Sequence, residues 1–310
     1  MIYITGATGH IGNNVVREFI TMNIPCELII RREGKAIEDI DIKRHIGDIF
    51  DESFLASVLK SGDTLIHAAG VIDFKKKQKN ESTKVNVEGT KIIADFCAKN
   101  QIRLVFVSSV DAINKPKNGD PIYEPSSFDL SKIKSHYAKA KAYGAAYVLN
   151  LLNSNQLQGA IVYPAAVIGV HDYKPSAAGK EIMKANKNRF LPYIHGGYNF
   201  IDVRDTAKAI FQAAVREVNG TFILSAHEQT IKSFYQTISE VTNQKKWMFW
   251  IPVFFARFGA LFLKDYSVVM IDAIQENYHY VNRPMVEILG VEPIPFMKTV
   301  QDTIAWFESK

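Results

Sequence analysis

Only two of the 310 residues are cysteines, Cys26 and Cys97, and no pattern of spacings surrounds them. That excludes a disulfide scaffold and fits free thiols in a reducing compartment. A strong excess of one charge sign is also missing. The net charge is +5 and the pI near 8.9, short of the clustered basic charge of a nucleic-acid binder, although a mild positive field suits an anionic cofactor. No uninterrupted apolar run is long enough to span a bilayer. The most apolar stretch, 247–263, is broken by Pro252 and Arg257. Residues 2–5 already read as a strand, which leaves no room for a signal or transit peptide. Internal repeats and low-complexity tracts are lacking, and the basic run Lys75-Lys76-Lys77 reads as a solvated loop. What is there is an ordinary globular composition, 47% hydrophobic and 22% charged, at a length that suggests about two domains. These features together predict a cytoplasmic protein with no nucleic-acid partner and no stable membrane insertion.

Short apolar runs alternate with helical patterns over the first two thirds of the chain. Residues 2–5, 26–30, 64–67, 104–107 and 160–163 read as buried parallel strands. Between them, 11–22, 52–60, 82–99 and 131–150 carry amphipathic helical spacing. Such alternation predicts an α/β doubly wound parallel sheet, a Rossmann fold. After Pro164 prolines and glycines mark a loop-rich region. A helix at 204–215 and a strand at 221–224 are expected to return to the sheet, and helices dominate from Ile231. The expected division is a nucleotide-binding domain over 1–163, joined by 201–225, and a smaller, mostly helical substrate domain from 164–200 and 226–310. The 247–263 stretch suits a lid over an apolar pocket, a core helix or a dimer contact. Contact with a membrane surface is a further reading, disfavoured by the absence of clustered lysines beside it.

The first strand runs directly into Thr5-Gly6-Ala7-Thr8-Gly9-His10-Ile11-Gly12, which opens a helix. Phosphates need close backbone approach, which glycine allows, and a helix N-terminus aimed at them. Gly6, Thr8, Gly9, His10, Ile11 and Gly12 are therefore the expected pyrophosphate site. An ordinary tight turn could carry the same glycines, but its place between strand and helix favours a cofactor. At the end of the second strand, where an acid would bind the ribose 2′-hydroxyl of NAD, stand Arg31 and Arg32. Arginines there suit the 2′-phosphate of NADP, so NADP is expected ahead of NAD. Asp48 and Ile49 can meet the adenine, and Ala68, Ala69 and Gly70 end the next strand with small residues that leave room for the cofactor.

Tyr137 and Lys141 lie four apart within a helical pattern, on one face. A tyrosine titrates near about 10, and a neighbouring ammonium favours the phenolate, so the pair can exchange a proton with a substrate oxygen. Alone such a pair is common on helix surfaces. The strand 104–107 ends in Ser108-Ser109 at the same sheet edge, where a serine can polarise a carbonyl; Ser109 is preferred, with Ser108 the alternative. His67 alone is expected to be structural.

Taken together, these motifs, with Asn86-Val87-Glu88-Gly89-Thr90 and Phe200-Ile201-Asp202-Val203-Arg204-Asp205, resemble the extended short-chain dehydrogenase/reductases over nearly the whole chain. The resemblance implies a catalytic Ser109, Tyr137 and Lys141, with Lys141 also holding the nicotinamide ribose. It implies a mainly structural Asn86, Tyr163 and Pro164 lining the nicotinamide side, and a homodimer through the helices containing 82–99 and 131–150. Within the class, the basic end of strand two and the 171–176 and 196–205 segments are most similar to the dihydroflavonol-reductase-like aldehyde and ketone reductases. Nucleotide-sugar epimerases carry R-x-x-N-x-Y-G-P after the fifth strand, whereas this chain reads Val162-Tyr163-Pro164-Ala165-Ala166-Val167-Ile168-Gly169-Val170. The implied function is NADP-dependent reduction of a small-molecule aldehyde or ketone, or the reverse oxidation of an alcohol. The alternatives are a nucleotide-sugar epimerase or dehydratase and a non-catalytic NADP-sensing or assembly protein.

Overall fold

The computed structural model describes residues 1–72, 79–116, 119–260, 268–276 and 278–310, without the side chains of 79 and 80. The Lys75-Lys76-Lys77 run and the last part of the 247–263 stretch lie outside the described residues. The strands are β1 (Ile2–Thr5), β2 (Glu27–Ile30), β3 (Arg44–Ile46), β4 (Thr64–His67), β5 (Arg103–Val107), β6 (Gly159–Pro164), β7 (Ala166–Ile168), β8 (Phe190–Tyr193), β9 (Gly197–Asp202), β10 (Gly220–Leu224), β11 (His227–Thr230) and β12 (Trp247–Trp250). The α-helices are α1 (His10–Thr21), α2 (Glu52–Val58), α3 (Lys79–Thr83), α4 (Thr90–Lys99), α5 (His136–Asn153), α6 (Ala177–Lys187), α7 (Val203–Val215), α8 (Ile231–Val241), α9 (Val253–Ala260), α10 (Val268–Ile274), α11 (Arg283–Glu287) and α12 (Phe296–Glu308).

Seven strands form one sheet in the order β10-β6-β5-β4-β1-β2-β3, every neighbouring pair parallel. β4, β5 and β6 are buried along their whole length, because helices cover both faces of a doubly wound sheet. The strand order reverses between β1 and β4, and such a reversal opens a crevice at the carboxyl ends of the strands. On one face α1 packs against α7, with Phe19 and Phe211 edge to face at 4.8 Å. Burying each ring contributes roughly 1.5–3 kcal/mol.

Two features depart from the expected pattern. The edge strand β3 is missed because Arg44-His45-Ile46 carries no apolar run and leaves Ile46 exposed. The smaller part of the chain, expected to be mostly helical, also holds a three-stranded sheet β11-β9-β7 and a β12-β8 pair. β11 reads His-Glu-Gln-Thr, so its backbone pairing alone makes it a strand. The phenylalanines Phe200, Phe234 and Phe296 gather behind this sheet, Phe200 and Phe234 stacked at 5.1 Å.

The 200–205 motif anchors α12. Asp202 caps α7 by accepting from the Arg204 amide at 2.8 Å. Its carboxylate is gripped by the Arg204 guanidinium at 2.9 and 2.6 Å and by the Thr299 hydroxyl at 2.8 Å, while Arg204 also reaches Asp302 at 2.7 Å.

The expected single helix over 82–99 is interrupted by a π-helical turn, Lys84–Gly89. Asn86 lies in that turn, and Gly144 of α5 packs on it so closely that a Cβ there would stand 2.7 Å from the Asn86 carbonyl oxygen. Gly144→Ala is expected to cost about 1–3 kcal/mol through overpacking, read as a lowered urea midpoint with an unchanged m-value.

Candidate active site

The chain leaves β1 and turns at Gly6, whose φ of +77° favours glycine. A Cβ at Gly6 would lie 2.5–2.6 Å from the Ala68–Ala69 peptide, and one at Gly12 would lie 2.2 Å from the Gly6 oxygen. Only hydrogen at both positions lets the turn close and touch the end of β4. The Gly9 amide donates to the Gly6 carbonyl at 2.9 Å. α1 then begins at His10 with Gly9 as its cap, with no side-chain cap and no acid in its first turn. Amides and dipole at such an uncapped start suit an anion. Ile11 is half-buried behind the turn. The His10 ring is turned away, its Nε2 paired with the Val170 carbonyl at 3.0 Å. Burial lowers its pKa, against the opposing pull of Asp172, which leaves its backbone amide as its contribution to the turn.

Arg31 and Arg32 follow β2 and are exposed. A Cβ at Gly34 would stand 3.5 Å from the Thr8 methyl, which places the 31–34 segment beside the Gly-rich turn. Glu33, the one acid of this segment, is paired with Arg44 at 2.8 Å. Arg44 is itself fixed to the Ile37 and Ile40 carbonyls. The acid is thereby neutralised by the edge strand. Asp48 is exposed and accepts from the Phe50 amide at 3.1 Å. Ile49 is buried, with its Cδ1 3.1 Å from where a Gly89 Cβ would stand.

Beyond Ala68 and Ala69, the carboxamide of Asn86 pins the 70–71 loop. It accepts from the Val71 amide at 3.0 Å and donates to the Val71 carbonyl at 2.8 Å and to Ser82 Oγ at 3.1 Å. A Cβ at Gly70 would be 3.0 Å from Lys141 Nζ and 3.1 Å from Asn86 Oδ1. Gly70, Asn86 and Lys141 thus converge. Lys141 is 6% exposed; its ammonium donates to the Val107 carbonyl at 3.2 Å and lies 5.7 Å over the Phe106 ring. Without a carboxylate to offset it, burial depresses its pKa to about 8. His67, directly beneath, is pushed down to about 3 by burial and by the Lys141 charge. It pairs with Thr5 Oγ1 at 2.9 Å and stays neutral.

α5 starts at His136, capped by Ser135, and brings Tyr137 and Lys141 to the same buried face. Ser109 follows β5 near Tyr137, and its hydroxyl acts to lower the tyrosine pKa; its Oγ accepts from the Asp111 amide at 3.2 Å. The Ser108 hydroxyl is buried with no hydrogen-bond partner among the described residues. One expectation is overturned. The tyrosine pKa, expected to be lowered by Lys141, is raised: burial dominates, the Asp111 carboxylate adds to it, and the Ser109 hydroxyl opposes both. Lys141 spends its charge on Val107 and Phe106 instead.

Tyr163 is fully buried, its ring 6.5 Å from Phe128 and its hydroxyl unpartnered, so its side chain is core. Pro164 ends β6 at the sheet edge. A further polar group was not singled out in the sequence. Lys115 is 15% exposed and lies 3.7 Å from Asp111 and 2.7 Å from Glu276. Burial works against its ammonium, but Tyr280, Asp111 and Glu276 more than offset it and raise its pKa. The i,i+4 spacing of Asp111 and Lys115 was the available signal; Glu276 and Tyr280 arrive only through the fold.

The sequence profile of the NAD dependent epimerase/dehydratase family matches residues 2–223, and the chain belongs to that family of nicotinamide-dependent enzymes acting on small molecules. Sterol demethylase protein B of Methylococcus capsulatus is 26% identical over 99% of this chain and 98% of its own. A Synechocystis protein provisionally named dihydroflavonol 4-reductase is 26% identical over 99% of this chain and 94% of its own. The crystal structure of gox2253 shares the fold with a TM-score of 0.87 at 23% identity, over 100% of this chain and 98% of that one.

The buried ammonium gives a test of the site's electrostatics. Lys141 has a folded pKa below its unfolded one, so the unfolded state binds more protons between about pH 8 and 10.5 and wild-type stability rises with pH there. Lys141→Met removes a charge whose burial costs up to about 3 kcal/mol. In urea titrations without cofactor, the variant should exceed wild type at neutral pH. The difference should shrink as pH passes 8.

Proposed function

We propose that the chain is an NADP-dependent oxidoreductase that reduces an aldehyde or ketone, or oxidises the corresponding alcohol, with Ser109, Tyr137 and Lys141 as its catalytic residues. The observation that carries this is the convergence at the β1/β4 reversal. Ser109 stands near enough to Tyr137 to act on its pKa, on the face that places Lys141 against Gly70, beside the Gly6–Gly12 turn. The glycine contacts and the uncapped start of α1 fit a dinucleotide phosphate, and Arg31 and Arg32, with Glu33 already neutralised by Arg44, fit a ribose 2′-phosphate. Asp48, Ile49, Ala68, Ala69 and Pro164 complete the proposed cofactor side. The substrate side comes from 164–200 and 226–310.

When bound, the nicotinamide supplies the hydride for the carbonyl carbon. Ser109 and Tyr137 donate hydrogen bonds to the carbonyl oxygen and polarise it. Tyr137 then gives its phenolic proton to the developing alkoxide, completing the alcohol. Its raised pKa keeps that proton in place until the alkoxide forms. Lys141 holds the ribose. A nucleotide-sugar reading is left without its R-x-x-N-x-Y-G-P segment, and a non-catalytic reading leaves the Ser109–Tyr137–Lys141 set without a purpose. Relatives named for a sterol and a dihydroflavonol direct a substrate screen toward cyclic ketones and alcohols.

Calorimetry of NADPH and NADH on wild type and on Arg31→Ala/Arg32→Ala tests the cofactor. NADPH is expected to bind at least about tenfold more tightly, an advantage of ~1.4 kcal/mol, and the double variant should lose it. Equal binding, or a preference for NADH, removes the NADP assignment. Tyr137→Phe should keep NADPH affinity and lose about 100-fold or more in turnover; full activity in that variant would refute the catalytic assignment.

A further inference from the structure

β12 pairs in parallel with β8, setting Trp247 beside Phe190, Phe249 beside Pro192 and Trp250 beside Tyr193. Parallel neighbours point the same way and residues two apart share a face. Phe190, Trp247, Pro192 and Phe249 therefore lie on one side of this ribbon. That side is open to solvent: Phe190 is 68% exposed, Trp247 57% and Phe249 47%. Leu191, on the other side, is buried in the phenylalanine cluster. Pro252 follows, and α9 leaves Phe254 and Phe255 exposed and none of its residues buried. The core-helix reading of 247–263 is thereby overturned for its described residues.

Cations border the aromatic face at one end. Lys187 and Arg189 are exposed and lead into Phe190. Lys245 lies 4.9 Å over the Trp247 ring. Arg189, Asn243, Gln244, Lys245 and Trp247 line an open recess of about 340 Å³. No acidic residue occurs in 184–190 or 243–258. Glu308, which reaches this end, is bonded to Asn186 at 2.9 Å, and Arg257 on α9 is paired with Asp272. The stretch lacks a lysine cluster in sequence; the β8–β12 pairing assembles a basic edge from two distant segments.

We propose that the outer face of the β8–β12 ribbon and α9 form a peripheral membrane-binding surface. Its aromatics enter the headgroup boundary of an anionic bilayer, while Lys187, Arg189 and Lys245 meet lipid phosphates. Tryptophan and phenylalanine beside arginine and lysine are the composition of a surface that lies in that boundary. No helix among the described residues is long and apolar enough to cross a membrane, so the surface lies on the bilayer. A second copy of the chain fits less well. A two-fold contact would bring the same cations to the same aromatic face, with no carboxylate among the described residues of the β8–β12 ribbon to meet them.

The whole protein is tested by co-sedimentation with vesicles of phosphatidylcholine alone or mixed with phosphatidylglycerol, at low and high salt. Of the three tryptophans in the chain, only Trp247 lies on this face by the register of the pair, so a Trp250→Phe/Trp306→Phe variant reports on it through quenching by brominated lipid. Binding to the anionic vesicles, weakened by salt, with quenched fluorescence, is the expected result. Arg189→Glu/Lys245→Glu should lower the partition coefficient by about tenfold or more, and Trp247→Ser/Phe249→Ser should abolish binding. The proposal is overturned by monodisperse protein that binds neither vesicle, or by binding that the charge reversal leaves unchanged. A dimer in light scattering that Trp247→Ser/Phe249→Ser dissociates would also overturn it. These readouts need neither cofactor nor turnover, so their failure leaves the catalytic proposal standing.

Discussion

Between β1 and β4 the Gly6 turn and the Ala68–Ala69 peptide come so close that any side chain at Gly6 would overlap backbone. That contact fixes the crevice where the strand order reverses. It seats the start of α1 over the sheet edge, and it sets the height at which Gly70, two residues on, meets Lys141 and Asn86. The steric constraint is local, but the Gly-rich turn, Gly70 and the Lys141 side chain are all arranged around it.

Around the crevice, burial decides the charge states. Lys141 is held by a carbonyl and a ring face, so desolvation wins and its pKa falls. Lys115 is nearly as enclosed but lies between two carboxylates, and attraction wins there. Tyr137 stands between these environments. Desolvation and Asp111 keep its proton on, and the Ser109 hydroxyl works against them.

Much of this was legible in the sequence. The buried strands announce themselves as apolar runs because helices cover both faces of the sheet, and Gly6 and Gly12 are dictated by backbone approach. The edge strand Arg44–Ile46 and the polar strand His227–Thr230 were illegible because their pairing is made by the backbone. The direction of the Tyr137 shift was misjudged because spacing on a helix places Lys141 on the same face without saying where its ammonium points. The basic edge beside Trp247 was hidden for a related reason: its members come from separate segments.

The π turn at Lys84–Gly89 works as an angular offset in a rod. Each residue of an α-helix advances the side-chain direction by about 100°, so a turn that holds one residue more re-aims everything after it. Within the offset, Asn86 serves the 70–71 loop, held in turn by Ser82 just before it; after it, Ile93, Phe96 and Cys97 serve the core. One continuous segment thereby answers to two unrelated geometric demands. The core can change its packing along the second half without disturbing the aim of the first.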